Sequence, residues 1–449
     1  MATTRETQPL LRNGNGTHPV PANGDDDPSE LADPADPPLV STRQLTLAGV
    51  LTFAFILTGA LLFHFVPDHA PLRFPRDPER AALEILERTP VIDGHIDLPE
   101  LVRWTYRDDI HAFDLHGRMP GHVDIPRLRA GKAGAFFWSV YVSCPAGAGY
   151  DEGVNFTKPS YRVRDTLEQI DVTRLLIDKY SDTFELAHGV NEIKDAIYRG
   201  KIAGLIGVEG GHQLGNSLGV LRTYYSLGVR YMTLTHSCSN AFADSAGIFE
   251  TPPPVHGGLS PLGKTLIGEM NRLGMLVDLS HTADTTAIQA LRVSEAPVIW
   301  SHSSARGVWD VPRNVPDEIL EMIGEEKGKK DAVVMVNFAP GFVAAPGNAT
   351  VAAVADHVDH IARVAGKRHV GIGSDYDGIG STPEGLEDVS KYPKLFAELY
   401  RRGWNAEELG GLAGGNFLRV FKGAEEVAER LRGEGAKPVM DIYEHRTDL

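Results

Sequence analysis

Residues 91–98 read Val-Ile-Asp-Gly-His-Ile-Asp-Leu, an apolar run that ends in a His-x-Asp pair. On a β-strand, side chains two residues apart share a face. His95 and Asp97 can therefore aim at one point beyond the carboxyl end of a strand. An imidazole and a carboxylate converging there make the start of a divalent metal site. Alone the pair says little. It gains weight because the pattern, a short apolar run closing on a potential ligand, recurs along the chain.

Leu-Ile-Gly-Val (205–208) closes on Glu209, and Tyr-Met-Thr-Leu-Thr (231–235) on His236. Met-Leu-Val-Asp-Leu-Ser (275–280) closes on His281, and Pro-Val-Ile-Trp-Ser (297–301) on His302. Val-Val-Met-Val-Asn-Phe (333–338) carries Asn337, and Val-Gly-Ile-Gly-Ser (370–374) closes on Asp375. The run 135–142 has no obvious ligand. With 91–98 these make eight strand candidates, short and apolar enough to be buried on both faces of a parallel sheet. Helix-patterned stretches lie between them, among them Val163–Lys179, Gly263–Leu273 and Ala352–Val364. Eight strands alternating with helices predict a (β/α)8 TIM barrel, whose chemistry sits at the carboxyl ends of the strands. His95, Asp97, Glu209, His236, His281, His302 and Asp375 all fall there.

The chain has 449 residues, enough for one large barrel with additions. Its net charge of −16 argues against a nucleic-acid partner, which would need basic patches. Residues 1–46 read as a disordered polar tail, rich in Pro, Gly, Asn and Asp. Residues 47–66 are uncharged and mostly apolar, of the length that crosses a bilayer, and read as a transmembrane signal anchor. A Pro-containing stalk (67–80) leads to the catalytic domain (81–435), and a polar tail (436–449) follows it.

Flanking Arg73, Arg76 and Arg80 would put the large domain in the cytosol by the positive-inside count. Large domains translocate largely regardless of charge, however. The sequons at Asn155 and Asn348 point to an extracellular or lumenal domain. The two cysteines, Cys144 and Cys238, follow the second and fourth strand candidates. They read either as a disulfide near one rim or as two free buried thiols.

From about Thr89 to Phe421 the chain resembles the membrane dipeptidase (renal dipeptidase) family, zinc peptidase family M19. The resemblance rests on Asp-Gly-His-Ile-Asp-Leu-Pro (93–99), Phe-Trp-Ser-Val-Tyr (137–141) and Leu-Ile-Gly-Val-Glu-Gly-Gly-His (205–212). It extends through Leu-Thr-His-Ser-Cys (234–238), Ser-His-Ser-Ser-Ala (301–305), Arg-Asn-Val-Pro-Asp (313–317) and Glu-Gly-Leu-Glu-Asp-Val-Ser-Lys-Tyr-Pro (384–393). It implies two zinc ions per subunit: His95 and Asp97 on one, His281 and His302 on the other, Glu209 bridging. It implies a metal-bridging hydroxide that cleaves dipeptides, C-terminal D-residues and cysteinylglycine conjugates included. It also implies a Cys144–Cys238 disulfide and a homodimer, non-covalent here because no third cysteine exists.

The same resemblance assigns His236 to the substrate and its oxyanion, and Asp375 to acid/base catalysis. It assigns Arg313 to the dipeptide carboxylate, which a guanidinium fork matches. Two other readings compete: a barrel amidohydrolase for cyclic amides or lactams, and a catalytically inactive, anchored binding protein. The glutamate bridge and the Arg-Asn-Val-Pro-Asp motif oppose the first, and the full set of site residues opposes the second.

Overall fold

The computed structural model describes residues 41–65, 74–144 and 161–444. It divides into two units, residues 1–72 and 73–449.

In the second unit, β1 (Val91–Ile96), β2 (Ala133–Val140), β4 (Ile202–Glu209) and β5 (Val229–Thr233) join β6 (Leu276–Asp278), β7 (Val298–Trp300), β8 (Ala332–Val336) and β9 (Val370–Ile372). All pair in parallel in the order β2-β1-β9-β8-β7-β6-β5-β4, and a β2–β4 ladder from Ala135↔Ala203 to Val140↔Val208 closes the ring. The expected eight-stranded barrel is therefore present, with every expected run in it. The short strand β3 (Phe184–Leu186) was not expected; it pairs only with the start of β4, outside the ring.

The ring strands are buried throughout, and their packing keeps the two-residue period of an extended chain. Ile92, Phe137, Leu205, Tyr231, Leu276, Ile299 and Met335 share the interior cluster. Their neighbours Val91, Trp138, Ile206, Met232, Val277, Val298 and Val334 pack in the layer beneath the helices. Phe417, Val420 and Phe421, from the helix Asn416–Gly433, belong to the interior cluster as well. A filled interior leaves chemistry to the rim.

Helix starts follow capping chemistry. Asp77, Ser260 and Thr350 accept backbone N–H groups at the heads of Pro78–Arg88, Pro261–Leu273 and Val351–Val364. The first of these helices starts inside the expected stalk, whose residues 67–73 lie outside the described residues, as do the tail 1–40 and the sequon at Asn155. In the expected C-terminal tail, Val439 bonds to Arg222 and Glu269, and Tyr443 is buried.

In the first unit, Thr42–Phe65 is a helix. The expected span 47–66 lies partly outside the described residues and draws no support from the rest. Among the described residues no helix is long and apolar enough to cross a membrane.

Candidate active site

β1 delivers His95 at its end, and Asp97 follows as the first residue of the turn into the helix Leu98–Tyr106. Glu209 is the last residue of β4. His236, His281, His302 and Asp375 stand within three residues of the ends of β5, β6, β7 and β9. The barrel thus gathers all seven at one rim.

Glu209 is the centre of the group. Its Oε1 lies 3.1 Å from His281 Nε2 and 3.2 Å from His302 Nε2. Its Oε2 lies 3.7 Å from His95 Nε2, which is 3.1 Å from Asp97 Oδ2. His281 Nε2 and His302 Nε2 are 3.1 Å apart. Ligands about 2.0–2.1 Å from a tetrahedral zinc stand about 3.3 Å from one another, so these donors are spaced as metal ligands.

Other observations fit a cation. His95 Nε2 and Asp97 Oδ1 are buried without a hydrogen-bond partner. Burial lifts the Glu209 carboxyl well above its usual range and holds His281 and His302 well below theirs, so both imidazoles are neutral, as ligands must be. Burial also opposes charge on His95, but Asp97 and Glu209 overcome it and raise the imidazole to about 10. A proton there occupies the place that suits a divalent cation.

Further contacts orient the ligands. The Tyr231 hydroxyl is 2.8 Å from His95 Nδ1. Gly207 makes room for that tyrosine, since a side chain at 207 would collide with its ring. Ser301 Oγ lies 2.8 Å from His302 Nδ1 and donates to Asp278 Oδ2 at 2.6 Å. Such outer contacts fix the tautomer and ring angle of a ligating histidine. Sequence reading placed Tyr231 and Asp278 in strand runs without seeing the partners of their side chains.

Asp375 accepts from Asn337 Nδ2 at 2.8 Å, and burial lifts its carboxyl to about 6. Asp375 and His281 have left-handed backbone, φ 66° and 62°, a strained geometry for non-glycine residues that clusters at functional sites. Asp377 instead accepts from the His122 amide, so Asp375 alone of the two belongs to the ligand group. His212 is buried, its Nε2 on the Val142 carbonyl, away from the group.

Cys144 and Cys238 form the expected disulfide, joining the segments that leave β2 and β5. His236 sits beside it, its Nδ1 4.0 Å from Cys144 Sγ and its Nε2 3.7 Å from Glu209. Above the cluster opens a cavity of about 420 Å³, lined by Asp97, Glu209, His236, His281 and Asp375 with an apolar wall.

Arg313 is placed differently. It is buried, with N–H groups on Ser303 Oγ (2.7 Å) and the His302 carbonyl (2.8 Å), and lines a smaller cleft that shares His281 with the main cavity. Its Nε has no hydrogen-bond partner among the described residues. Glu100, a cavity-wall residue, was missed by sequence reading because it carries no ligand spacing.

Residues 79–435 match the model of the membrane dipeptidase family, peptidase family M19. The chain belongs to the M19 membrane dipeptidase family. This family member is 46% identical over 379 residues to an uncharacterized dipeptidase of Schizosaccharomyces pombe, covering 84% of this chain and 91% of the relative. It is 42% identical over 370 residues to dipeptidase verJ of Clonostachys rogersoniana, covering 82% and 92%. Among solved structures, it is similar to a metallopeptidase of Rhodobacter sphaeroides bound to a phosphinate mimic of the dipeptide L-Ala-D-Ala. That similarity has a TM-score of 0.65 and 26% identity, over 75% of this chain and 99% of the other. The M19 chain is thus a metallopeptidase of dipeptidase type, and its cluster of His and carboxylate side chains offers groups able to hold a metal ion.

Proposed function

We propose that the chain hydrolyses dipeptides with two zinc ions. His95, Asp97 and Glu209 would hold one ion, and Glu209, His281 and His302 the other. The observation that carries this reading is Glu209 itself, whose two oxygens face separate sets of ligands. When bound, the metal pair supplies a Lewis acid for the peptide carbonyl and lowers the pKa of water at the site.

The chain's own residues do the rest. Asp375, lifted to about 6 by burial, takes the proton of the attacking water and passes it to the leaving amine. His236, kept neutral by burial at the cavity wall, donates an N–H to the developing oxyanion. Arg313, in the smaller cleft that also includes His281, holds the free carboxylate through the N–H groups it has left, and this selects dipeptides over longer peptides. The phosphinate dipeptide on the Rhodobacter relative supports a D-residue at the second position. Cysteinylglycine conjugates belong to the same substrate class.

The disulfide supports a catalytic domain in an extracellular or lumenal compartment. The uncharged, mostly apolar run 47–66 is read as a membrane anchor from its sequence.

A panel of dipeptides, tripeptides and cyclic amides tests the activity. Cleavage confined to dipeptides is the expected result; cleavage confined to cyclic amides would favour the amidohydrolase reading.

A further inference from the structure

Glu100 has no part in the chemistry above. It stands one turn along the helix Leu98–Tyr106 from Asp97, about 5 Å further from the reacting centre, on the cavity wall. Its Oε1 accepts the Trp104 indole N–H at 3.1 Å. Its other oxygen makes no hydrogen bond among the described residues. Tyr141 lines the same cavity, and Ile248, Phe249 and Ile379 supply apolar wall.

The charges nearest Glu100 are Asp97, Asp375 and His95. Those acting on Arg313 are Asp375, Glu209 and Asp278. Glu100 lines the main cavity and Arg313 the smaller cleft, and the two spaces share His281. A dipeptide with its carboxylate at Arg313 and its peptide carbonyl over Glu209 extends its amino-terminal residue toward Glu100. Asp97 and Asp375 are close enough to the reacting carbonyl to meet the α-ammonium. Glu100, a turn further out, is at the reach of a side chain.

We propose that Glu100 selects dipeptides whose amino-terminal residue carries a cationic side chain, as in lysyl, ornithyl or arginyl dipeptides. The aliphatic stem of such a side chain packs on the apolar wall while its head meets the carboxylate. The Tyr141 ring on the same cavity favours a cation further. Burial, with Asp97 and Asp375, pushes the Glu100 carboxyl up to about 8, and a cation beside it draws the group back to its charged form. This inference rests on the dipeptidase reading.

The test uses the purified full-length chain, wild type and Glu100→Gln, against Lys-Gly, norleucyl-Gly and Leu-Gly. Glutamine keeps an oxygen for the Trp104 N–H. Wild type is expected to prefer Lys-Gly over norleucyl-Gly by about tenfold in kcat/KM, the scale of one hydrogen bond to a charged group. Glu100→Gln is expected to raise KM for Lys-Gly about tenfold and to leave KM for Leu-Gly, kcat and metal content unchanged. A wild type without that preference overturns the proposal even if the variant does not fold. So does an equal rise in KM for all three peptides, which would assign Glu100 to the α-ammonium. An active wild type with an unchanged variant overturns the Glu100 assignment alone. A wild type that cleaves none of the peptides overturns the dipeptidase reading and this inference with it.

Discussion

Glu209 faces His95 with one carboxylate oxygen, Oε2 to Nε2 at 3.7 Å, and turns the other toward His281, Oε1 to Nε2 at 3.1 Å. In the proposed two-metal site a single carboxylate between two ligand sets joins cations that would otherwise repel each other. Glu209→Gln keeps the shape but gives up the charge and one acceptor oxygen. Metal content of the purified variant should fall below that of wild type, and turnover with it. Full metal content with normal turnover would show that Glu209 bridges nothing.

In the proposed mechanism Asp375 sets the acid side of the pH profile. Burial raises its carboxyl to about 6, against the pull of His95. A base works only when ionised, so kcat/KM should be complete above that value and fall as pH drops through it. Asp375→Asn should lower kcat by about 10²–10⁴-fold, retain metal, and lose this limb of the profile. A variant with the same limb would place the titration elsewhere.

Arg313 is buried beside the main cavity, already bonded to Ser303 and the His302 carbonyl. Arg313→Lys keeps a charge but loses the planar fork. KM for dipeptides should rise about 10–100-fold, the scale of one charged hydrogen bond, with a smaller change in kcat. Circular dichroism should show the fold intact, and an unchanged KM would remove Arg313 from substrate binding.

The Cys144–Cys238 disulfide spans 94 residues of sequence and ties down the segment that carries His236. Closing a loop of that length stabilises a fold by about 2–5 kcal/mol. The Cys144→Ser, Cys238→Ser double variant should melt at a lower temperature in a calorimetric scan and bind dipeptides more weakly. Identical melting with and without reductant would mean that the bridge constrains little.

The barrel was legible in the sequence because each of its strands is buried on both faces and seven of the eight runs carry a polar side chain near the rim. β3 was not, being three residues long with Glu185 in its middle and pairing only outside the ring. The ligand group was legible because His and carboxylate at strand ends have one direction to point. Its support was not. Tyr231 meets His95 across the barrel interior, 136 residues away in sequence, through space that Gly207 leaves open. Arg313 was legible as a residue type and motif but not in depth, since its burial under His302 depends on how the segment after β7 folds back. Glu100 needed the helix after β1 to turn one face to the cavity, which spacing alone does not reveal.

The most direct test of the account measures metal content and dipeptide hydrolysis on the same full-length sample, before chelation, after it, and after zinc is restored. The account predicts two zinc ions per chain, activity lost with the metal, and activity regained as both sites refill. Hydrolysis that persists in a metal-free sample would contradict it, as would a folded chain that binds no zinc.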